Sequence, residues 1–503
     1  MSQQTDQIFD LFIVGGGING VGIARDAIGR GFSVYLAEKD DLASGTSSGS
    51  TKLIHGGLRY LEHYEFNLVR KALMEREVLW KMAPHIVHPL RFVLPHHKGL
   101  RPTWLLRLGL FLYDYIGGRK LLPATKKLNL KTHAAGQPIK DDFTTGFEYS
   151  DCWVDDARLV VLNAVDARER GAVIETRQQV VKTNKVDGIW EVDVKDVLTG
   201  DVKTIKSKLV VNATGPWVDH FLNATGKGSN IQNVRLVQGS HVIVKKLYDH
   251  DRCYIFQNED GRIIFAIPYE NDFTMIGTTD HDFTGNPDDA GITREEAEYI
   301  CKSASEYFKK EITADEAVWE FSGVRPLYND GASKAQEATR DYVLRLDGEE
   351  GEAKMLNIFG GKITTYRRLA EAAMEEIETV LGTKKPEWTM GATLPGGDFA
   401  HNGREDLAAR IKSAHNYLPD EMITRWVRSY GTYAFNILKN VSSLADMGEH
   451  FGGTLYAAEV DYLMKEEFAV TAEDVLYRRS KQGLIFNSDA EEKLASYMIA
   501  KRS

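Results

Sequence analysis

The chain has 503 residues, a formal net charge of -10 and a hydrophobic content of 43%. Its length exceeds that of one typical core, so two or three domains are expected. Nucleic-acid recognition needs a basic surface, and the acidic balance argues against it. The three cysteines, Cys152, Cys253 and Cys301, form no disulfide framework and no paired metal-binding spacing. A reducing cytoplasm and the absence of a metal site are therefore expected.

The N-terminal elements predict a dinucleotide-binding βαβ unit. A β-rich run at residues 9–14 ends in glycine, a helix is predicted over residues 18–30, and the next strand over residues 33–37. The N-terminus has no charged region followed by an apolar stretch, so a signal peptide is not expected.

The glycine-rich turn of this unit fits the pattern G-x-G-x-x-G at Gly15, Gly17 and Gly20. Such glycines permit a tight turn, close approach to a pyrophosphate and tight helix packing, and the helix N-terminus supplies N–H groups to the phosphates. Glu38 ends the second strand, where a carboxylate accepts hydrogen bonds from an adenosine ribose. A glycine turn without a ligand is the less favoured interpretation.

A helix predicted over residues 66–82 precedes a segment that departs from the acidic average. Residues 96–131 carry eight cations and one anion, Asp114. Inside this segment, residues 103–113 are apolar and aromatic, too few to span a bilayer but suited to lying in its interface. A buried helix with solvated basic flanks and a lipid-binding surface segment remain equally open. No run of about 18 apolar residues predicts a membrane span.

The middle of the chain is rich in predicted strands with alternating polar and apolar positions, which indicates antiparallel sheet. The predicted strands cover residues 173–175, 190–194, 209–212, 241–244, 254–257 and 262–267. Residues 364–381 return to helix. Residues 386–398, which contain Pro-Gly-Gly, are a predicted linker, and residues 399–503 read as a helical C-terminal domain.

Two features favour FAD over NAD. Residues 210–215 run from a strand into Ala213-Thr214-Gly215, like the second dinucleotide-contacting turn of flavoproteins. Gly360-Gly361-Lys362 precedes the helix predicted over residues 364–381. Backbone N–H groups at the start of that helix would stabilise negative charge on a reduced flavin.

Five motifs resemble those of the bacterial, quinone-linked, FAD-dependent glycerol-3-phosphate dehydrogenases. They are TKLIHGGLRYLE at residues 51–62, FEYSD at 147–151, NATGPW at 212–217, SGVRPL at 322–327 and FGGKITTYR at 359–367. The resemblance extends from about residue 8 to the end of the chain. It implies an α/β fold, α+β overall, with a two-dinucleotide-binding-type FAD domain, an antiparallel-sheet substrate domain and the helical C-terminal domain.

The resemblance also implies how these domains are arranged. Residues 1–385 would interleave FAD-binding parts at about 8–90, 150–230 and 340–385 with sheet parts at about 91–149 and 231–339. The implied reaction oxidises sn-glycerol 3-phosphate to dihydroxyacetone phosphate, with hydride passing from C2 to flavin N5 and electrons to ubiquinone. A homodimer is expected, in the cytoplasm or peripherally on the cytoplasmic face of the inner membrane.

Arginine suits a phosphate dianion because its donors are planar and permanently charged. The expected substrate-binding residues are Arg59, Tyr60, Arg325, Arg340 and Lys362, with Arg325 the best single candidate. Alcohol oxidation also needs a group to take the hydroxyl proton, and histidine is the default near neutral pH.

His241 is the preferred proton acceptor, and His55 is expected to pack beside the flavin ring. Arg325 and Lys362 complete the expected catalytic set. The residues expected to contact FAD are Gly15, Gly17, Ile18, Asn19, Gly20, Glu38, Lys39, Thr46, Ser47, Ser48, Lys52, Leu53, His55, Gly57, Val181, Ala213, Thr214, Gly215, Gly360, Gly361, Lys362, Thr364 and Thr365.

Three other functions remain open. An oxidase of the same fold would pass electrons to O₂, and an amine-oxidising flavoprotein would bind a carboxylate, for which one arginine suffices. A flavin-binding scaffold without turnover is the third alternative.

Overall fold

A computed structural model describes residues 7–224, 232–258, 261–329 and 341–502, without the side chains of Arg59, Glu62 and His63. The predicted α/β fold class is confirmed, with two large sheets and a helical C-terminal part. The helices are α1 (Ile18–Gly29), α2 (Phe66–Met82), α3 (Thr103–Ile116), α4 (Asp156–Glu169), α5 (Val218–Ala224), α6 (Arg294–Ser305), α7 (Tyr366–Leu381), α8 (Arg404–Ala414), α9 (Asp420–Tyr430), α10 (Ala434–Ile437), α11 (Ala457–Glu466) and α12 (Ser488–Arg502). The strands are β1 (Ile8–Val14), β2 (Val34–Ala37), β3 (Leu53–Ile54), β4 (Val87–His96), β5 (Lys126–Asn129), β6 (Thr145–Val154), β7 (Val173–Glu175), β8 (Gln178–Val186), β9 (Ile189–Asp196), β10 (Val202–Asn212), β11 (Val234–Lys245), β12 (Cys253–Gln257), β13 (Ile263–Tyr269), β14 (Phe273–Gly277), β15 (His281–Asp282), β16 (Ala317–Tyr328), β17 (Val343–Asp347), β18 (Lys354–Phe359), β19 (His450–Gly452) and β20 (Leu455–Tyr456).

The first sheet has the order β17-β18-β10-β1-β2-β7, and β8 and β9 continue from β10 as antiparallel strands. β1 pairs in parallel with both β2 and β10. Its residues 11–14 are all buried, as expected of a parallel strand covered on both faces. Helices α1, α4 and α7 pack on one face of this sheet.

The second sheet has the order β15-β11-β14-β13-β12-β4-β6-β3, with β16 beside β11 and β5 beside β6. Helix α6 covers one face, and α2 and α3 pack on the other. The strands at residues 53–54, 87–90 and 150–154 belong to this sheet, although the sequence places them in FAD-binding parts. The second sheet therefore extends beyond the expected part at about residues 91–149, because β4 and β6 pair over their full length.

Some of the helices and strands predicted from local sequence pattern agree with the structure, and others do not. The helix predicted over residues 66–82 coincides with α2. The strands at residues 173–175 and 209–212 were expected in antiparallel sheet, which is wrong, since both pair in parallel in the first sheet. Helix α4 has no counterpart in the prediction. Its residues 156–167 are buried all round, so it lacks an amphipathic stripe.

The predicted linker at residues 386–398 has no helix or strand, but it is packed rather than free. The indole N–H of Trp388 donates to the carbonyl oxygen of Asp26 at 3.0 Å, and Leu394 lies in the core between the first sheet and its helices. The segment therefore fixes the C-terminal part against α1.

Helices α8 to α12 build a separate apolar core, as the sequence predicts for the C-terminal domain. Buried ion pairs join this domain to the rest of the chain. Arg158 of α4 donates from Nη2 to Glu467 at 2.9 Å, and Arg479 donates to Asp41 at 2.7 Å. All four side chains are almost completely buried.

Helix α3 presents large apolar side chains to solvent, although Leu110, Tyr113 and Asp114 of the same helix are buried. The exposed ones are Trp104, Leu108, Phe111, Leu112 and Tyr115. Among the described residues, no helix is long and apolar enough to cross a membrane.

Replacing Glu467 by Gln should destabilise the protein by about 3–5 kcal/mol, because it leaves the buried charge of Arg158 without its counter-charge. The midpoint of urea unfolding measures this effect. The matched control is Glu466→Gln, whose partner Arg168 lies 3.0 Å away in a partly exposed pair and contributes about 1 kcal/mol or less. Equal shifts for the two variants would contradict the prediction.

Candidate active site

A cavity of about 690 Å³ lies where the two sheets meet and is lined by residues of both. The first sheet contributes the carboxyl ends of β1, β2 and β10, as expected of ligand sites in open α/β folds. The second contributes the inner faces of β12, β13 and β16. Residues that are remote in sequence therefore share one wall.

The N-terminal glycine motif forms a narrow cradle in this cavity. Gly15 has a φ of +107°, and a Cβ built on it would lie 2.7 Å from the carbonyl oxygen of Ala213. A Cβ on Gly20 would lie 2.0 Å from the oxygen of Gly15, so Gly20 closes the turn without lining the cavity. Only glycine fits these positions, and Gly17, Ile18 and Asn19 at the start of α1 line the cavity.

Glu38 holds the shape of the cradle. Its carboxylate accepts hydrogen bonds from the N–H groups of Gly16 at 2.6 Å and Asp40 at 2.9 Å. Burial raises the pKa of Glu38, and these two hydrogen bonds oppose that shift. The carboxylate also lines the cavity, so the position expected to contact a ribose additionally organises its own loop.

The two glycine motifs meet directly. The side-chain amide of Asn19 donates to the carbonyl oxygen of Gly360 at 3.1 Å. Gly360 and Gly361 both have positive φ, and a Cβ on Gly361 would approach Asn19 within 3.0 Å. The Oδ1 atom of Asn19 is buried without a hydrogen-bond partner among the described residues. A bound ligand with a donor group would satisfy it.

Lys362, His55 and Tyr60 form one end of the cavity. The ammonium of Lys362 lies 4.0 Å from the centre of the Tyr60 ring. The N–H of His55 donates to the Thr364 hydroxyl at 3.3 Å. Gly57 has a φ of +73°, and a Cβ there would collide with the Tyr60 ring. The loop at residues 55–60 is therefore shaped by glycine to bring its functional side chains to the wall.

The imidazole of His55 is neutral at physiological pH. Burial, together with the positive charges of Lys362 and Arg76, lowers its pKa to about 4. A neutral imidazole has a free lone pair, so His55 is able to accept a proton.

His241 occupies a different position from the one expected of a proton acceptor. It is completely buried and does not line the cavity; its ring stacks on Phe321 at 4.7 Å. Its Nε2 atom lies 3.0 Å from the hydroxyl of Thr51, which does line the cavity. Burial, with Arg325 and Lys52 nearby, lowers the pKa of His241. The preference for His241 over His55 is therefore not supported by their placement.

Arg325 of β16 lines the cavity, and its guanidinium contacts Asp280 and Thr278. Arg340 lies outside the described residues. The backbone of Arg59 lies in a 3-10 helix at Leu58–His63. Two of the five expected substrate-binding side chains thus have no structural description.

Most of the residues expected to contact FAD line the cavity, and the exceptions have clear reasons. Lys52 is buried in an ion pair with Asp156 at 2.9 Å and donates to the carbonyl of Ser48, and neither Lys52 nor Ser48 lines the cavity. Thr365 is buried in the turn that starts α7. Val181 is the extra residue of a β-bulge in β8, and its exposed side chain points away, whereas Val180 lines the cavity.

Several wall residues were not expected from the sequence. Thr51, Gln257, Arg262, Thr278 and Asp280 all line the cavity. One signal was available for the last two: Gly-Thr-Thr-Asp at residues 277–280 follows a strand, and polar residues after a strand end often form sites.

These features together define a flavoprotein oxidoreductase. Two glycine loops, each followed by a helix, open onto one cavity, and the orphaned Asn19 oxygen and the glycine cradle fit FAD. The family model described as "FAD dependent oxidoreductase" matches residues 10–367. That of the "C-terminal domain of alpha-glycerophosphate oxidase" matches residues 388–500. The chain belongs to the FAD-dependent oxidoreductase family, and FAD is its cofactor.

Relatives of known activity narrow the class. The chain is 49% identical to glycerol-3-phosphate dehydrogenase of Pseudomonas aeruginosa, covering 98% of this chain and 95% of the relative. It is 50% identical to D-erythritol 1-phosphate dehydrogenase of Brucella abortus, covering 94% of both. The crystal structure of glycerol-3-phosphate dehydrogenase from Bacillus halodurans with FAD superposes with a TM-score of 0.76 at 26% identity, covering 99% of this chain and 95% of that one. The resemblance to the glycerol-3-phosphate dehydrogenases is confirmed.

Replacing Gly15 by Ala should abolish FAD retention, because the new Cβ would meet the oxygen of Ala213 at 2.7 Å and block the cradle. The flavin absorbance of the purified protein measures retention. Gly31→Ala is the control, since Gly31 also has positive φ, at +88°, but open space around it. A yellow Gly15→Ala protein would contradict the prediction.

Proposed function

We propose that the protein oxidises sn-glycerol 3-phosphate to dihydroxyacetone phosphate and passes the electrons to a quinone in the membrane. When bound, FAD supplies the hydride acceptor, N5 of its ring. The observation that carries the proposal is the convergence of Arg325, Lys362 and His55 on one cavity beside the second glycine loop. The cavity thus contains two cations that suit a phosphate and a neutral base that suits an alcohol.

Arg325 is the proposed main phosphate ligand. Its planar guanidinium offers two parallel donors, which match the oxygens of a phosphate. Lys362, at the start of the turn into α7, adds a second positive charge on the same cavity. The positive end of a helix dipole reinforces this charge. We propose that the two cations hold the phosphate so that the substrate's C2 faces the flavin.

His55 is the proposed acceptor of the C2 hydroxyl proton. It lines the cavity on the loop that also carries Tyr60, and its lowered pKa keeps it unprotonated. The hydroxyl of Thr364 holds the backbone of His55 in place. The buried His241 is the weaker candidate, because Thr51 stands between it and the cavity.

Helix α3 supports a membrane acceptor. Its exposed face carries Trp104, Phe111 and Tyr115, and such side chains favour the interfacial layer of a bilayer. Exposed Arg101, Arg107 and Lys120 lie along the same segment and attract anionic lipid. We propose that this surface docks on the cytoplasmic face of the membrane, where a quinone is available. The oxidase alternative needs no such surface.

A second candidate substrate is D-erythritol 1-phosphate. The support is the 50% identity to the Brucella abortus enzyme of that name, against 49% to the glycerol-3-phosphate dehydrogenase of Pseudomonas aeruginosa. Both substrates present a phosphate and neighbouring hydroxyls to the same cations.

Anaerobic addition of glycerol 3-phosphate should bleach the visible absorbance of the flavin, because hydride transfer reduces its ring. D-erythritol 1-phosphate, glycerol and sarcosine serve as comparisons in the same assay. Faster bleaching by D-erythritol 1-phosphate than by glycerol 3-phosphate would identify D-erythritol 1-phosphate as the preferred substrate. Bleaching by sarcosine alone would support an amine oxidase, and no bleaching at all would support a scaffold. Reoxidation by a soluble quinone without peroxide separates the dehydrogenase from the oxidase.

His55→Asn should lower the rate of flavin bleaching by about 10²- to 10⁴-fold with FAD still bound, because the proton acceptor is lost. At saturating substrate, the wild-type rate should stay level from pH 8 down to about pH 6, since the pKa of His55 is lowered to about 4 and only the neutral ring accepts a proton. His241→Asn is the comparison variant. A larger loss there, or an acid limb near pH 6.5, would contradict the assignment to His55.

Replacing both Trp104 and Phe111 by Glu should abolish binding to vesicles of anionic phospholipid and leave flavin bleaching unchanged. The physical reason is the cost of placing charge in the apolar interface. Val197 and Leu198 are also exposed and apolar but lie between β9 and β10, so the same double change there is the control. Co-sedimentation with vesicles decides the question; equal loss in both variants would remove the special role of α3.

A further inference from the structure

The guanidinium proposed to bind phosphate already has an anionic partner on the cavity wall. Nη1 of Arg325 donates to the carboxylate of Asp280, and Nη2 lies 3.4 Å from the hydroxyl of Thr278. The side chains of Arg325 and Asp280 are 28% and 26% exposed, and both line the cavity. One of the two prongs that a phosphate would use is therefore occupied by a carboxylate.

Asp280 is held close to Arg325 by its neighbours. The hydroxyl of Thr279 accepts from the N–H of Ser240 at 3.0 Å and donates to Glu296 at 2.8 Å. On the other side, His281 pairs with Gln238 at the start of β15. Because both flanks are fixed, the backbone that carries the Asp280 carboxylate is held beside Arg325.

Arg325 is held with equal firmness. A Cβ built on Gly239 would lie 2.5 Å from its Nη2 atom, so the guanidinium rests directly on the backbone of that glycine. Val237, two residues earlier, pairs with Arg325 across β11 and β16. A phosphate that approaches the guanidinium of Arg325 therefore meets the carboxylate of Asp280.

We propose that Asp280 competes with the substrate's phosphate for Arg325 and thereby lowers the affinity of the site for every phosphate-bearing ligand. The proposal rests on the proposed function in taking the substrate to be a phosphate ester. A dianion must displace the carboxylate from Nη1 and then remain near a like charge, which opposes binding. Substrate and product carry the same phosphate, so the competition speeds release of the product.

The test replaces Asp280 by Asn in the FAD-loaded enzyme and titrates inorganic phosphate, followed by the perturbation of the flavin spectrum. Asn keeps an oxygen that accepts from Arg325 but carries no charge. The dissociation constant for phosphate should fall by about tenfold, since one like charge is removed from the site. The Michaelis constant for glycerol 3-phosphate should fall with it, and inhibition by dihydroxyacetone phosphate should strengthen.

Asp282→Asn is the matched control, because Asp282 is exposed and pairs with Arg235 at 2.6 Å instead of lining the cavity. Asp280→Glu retains the charge and should keep the wild-type phosphate affinity. Weaker or unchanged phosphate binding in Asp280→Asn would overturn the proposal. That result is expected if Asp280 merely orients Arg325 for phosphate binding. Tighter phosphate binding without bleaching by either phosphate ester would sustain this inference while refuting the proposed reaction.

Discussion

Direct packing of α1 against α7 is the constraint on which the site depends. A Cβ on Gly22 would lie 2.8 Å from the ring of Tyr366, so the two helices approach as closely as glycine allows. At their N-termini, Asn19 donates to the carbonyl of Gly360. The N-terminal ends of both helices therefore lie near one cavity, and the pyrophosphate and the ring of one FAD would be held between them. The strands of the second sheet come from the chain between α1 and α7.

The second sheet completes the site by bringing β16 against this frame. Gly323 packs on Gly49, and a Cβ on either glycine would clash with the backbone of the other. The hydroxyl of Thr46 also donates to the carbonyl of Val324 at 2.6 Å. These contacts fix Arg325 relative to the cradle. The proposed phosphate site and the cofactor cradle are thus coupled through backbone contacts, which side-chain substitutions elsewhere leave intact.

Local sequence predicts the cofactor half of this arrangement well. The glycine spacing, the acid at Glu38 and the strand before Ala213 each carry a steric or electrostatic requirement that is visible within a few residues. The substrate half depends on pairing between distant strands. Whether His55 or His241 reaches the cavity is decided by the register of β11 and by Thr51, and no local pattern contains that information. The pairing of Asp280 with Arg325 escaped prediction for the same reason, as the two residues lie 45 positions apart.

Helix α3 connects the surface proposed to bind lipid with the loop that carries His55. Its buried Tyr113 accepts from the N–H of Gly56 at 2.8 Å and donates to Asp151, which pairs with Arg76. Gly56 adjoins His55, so the helix that exposes Phe111 on one side holds the reactive loop on the other. A helix with its side chains is about 10 Å across. On the proposed function, an acceptor dissolved in the membrane would approach the flavin from the side that α3 covers, and the phosphate ester would enter beside Arg325.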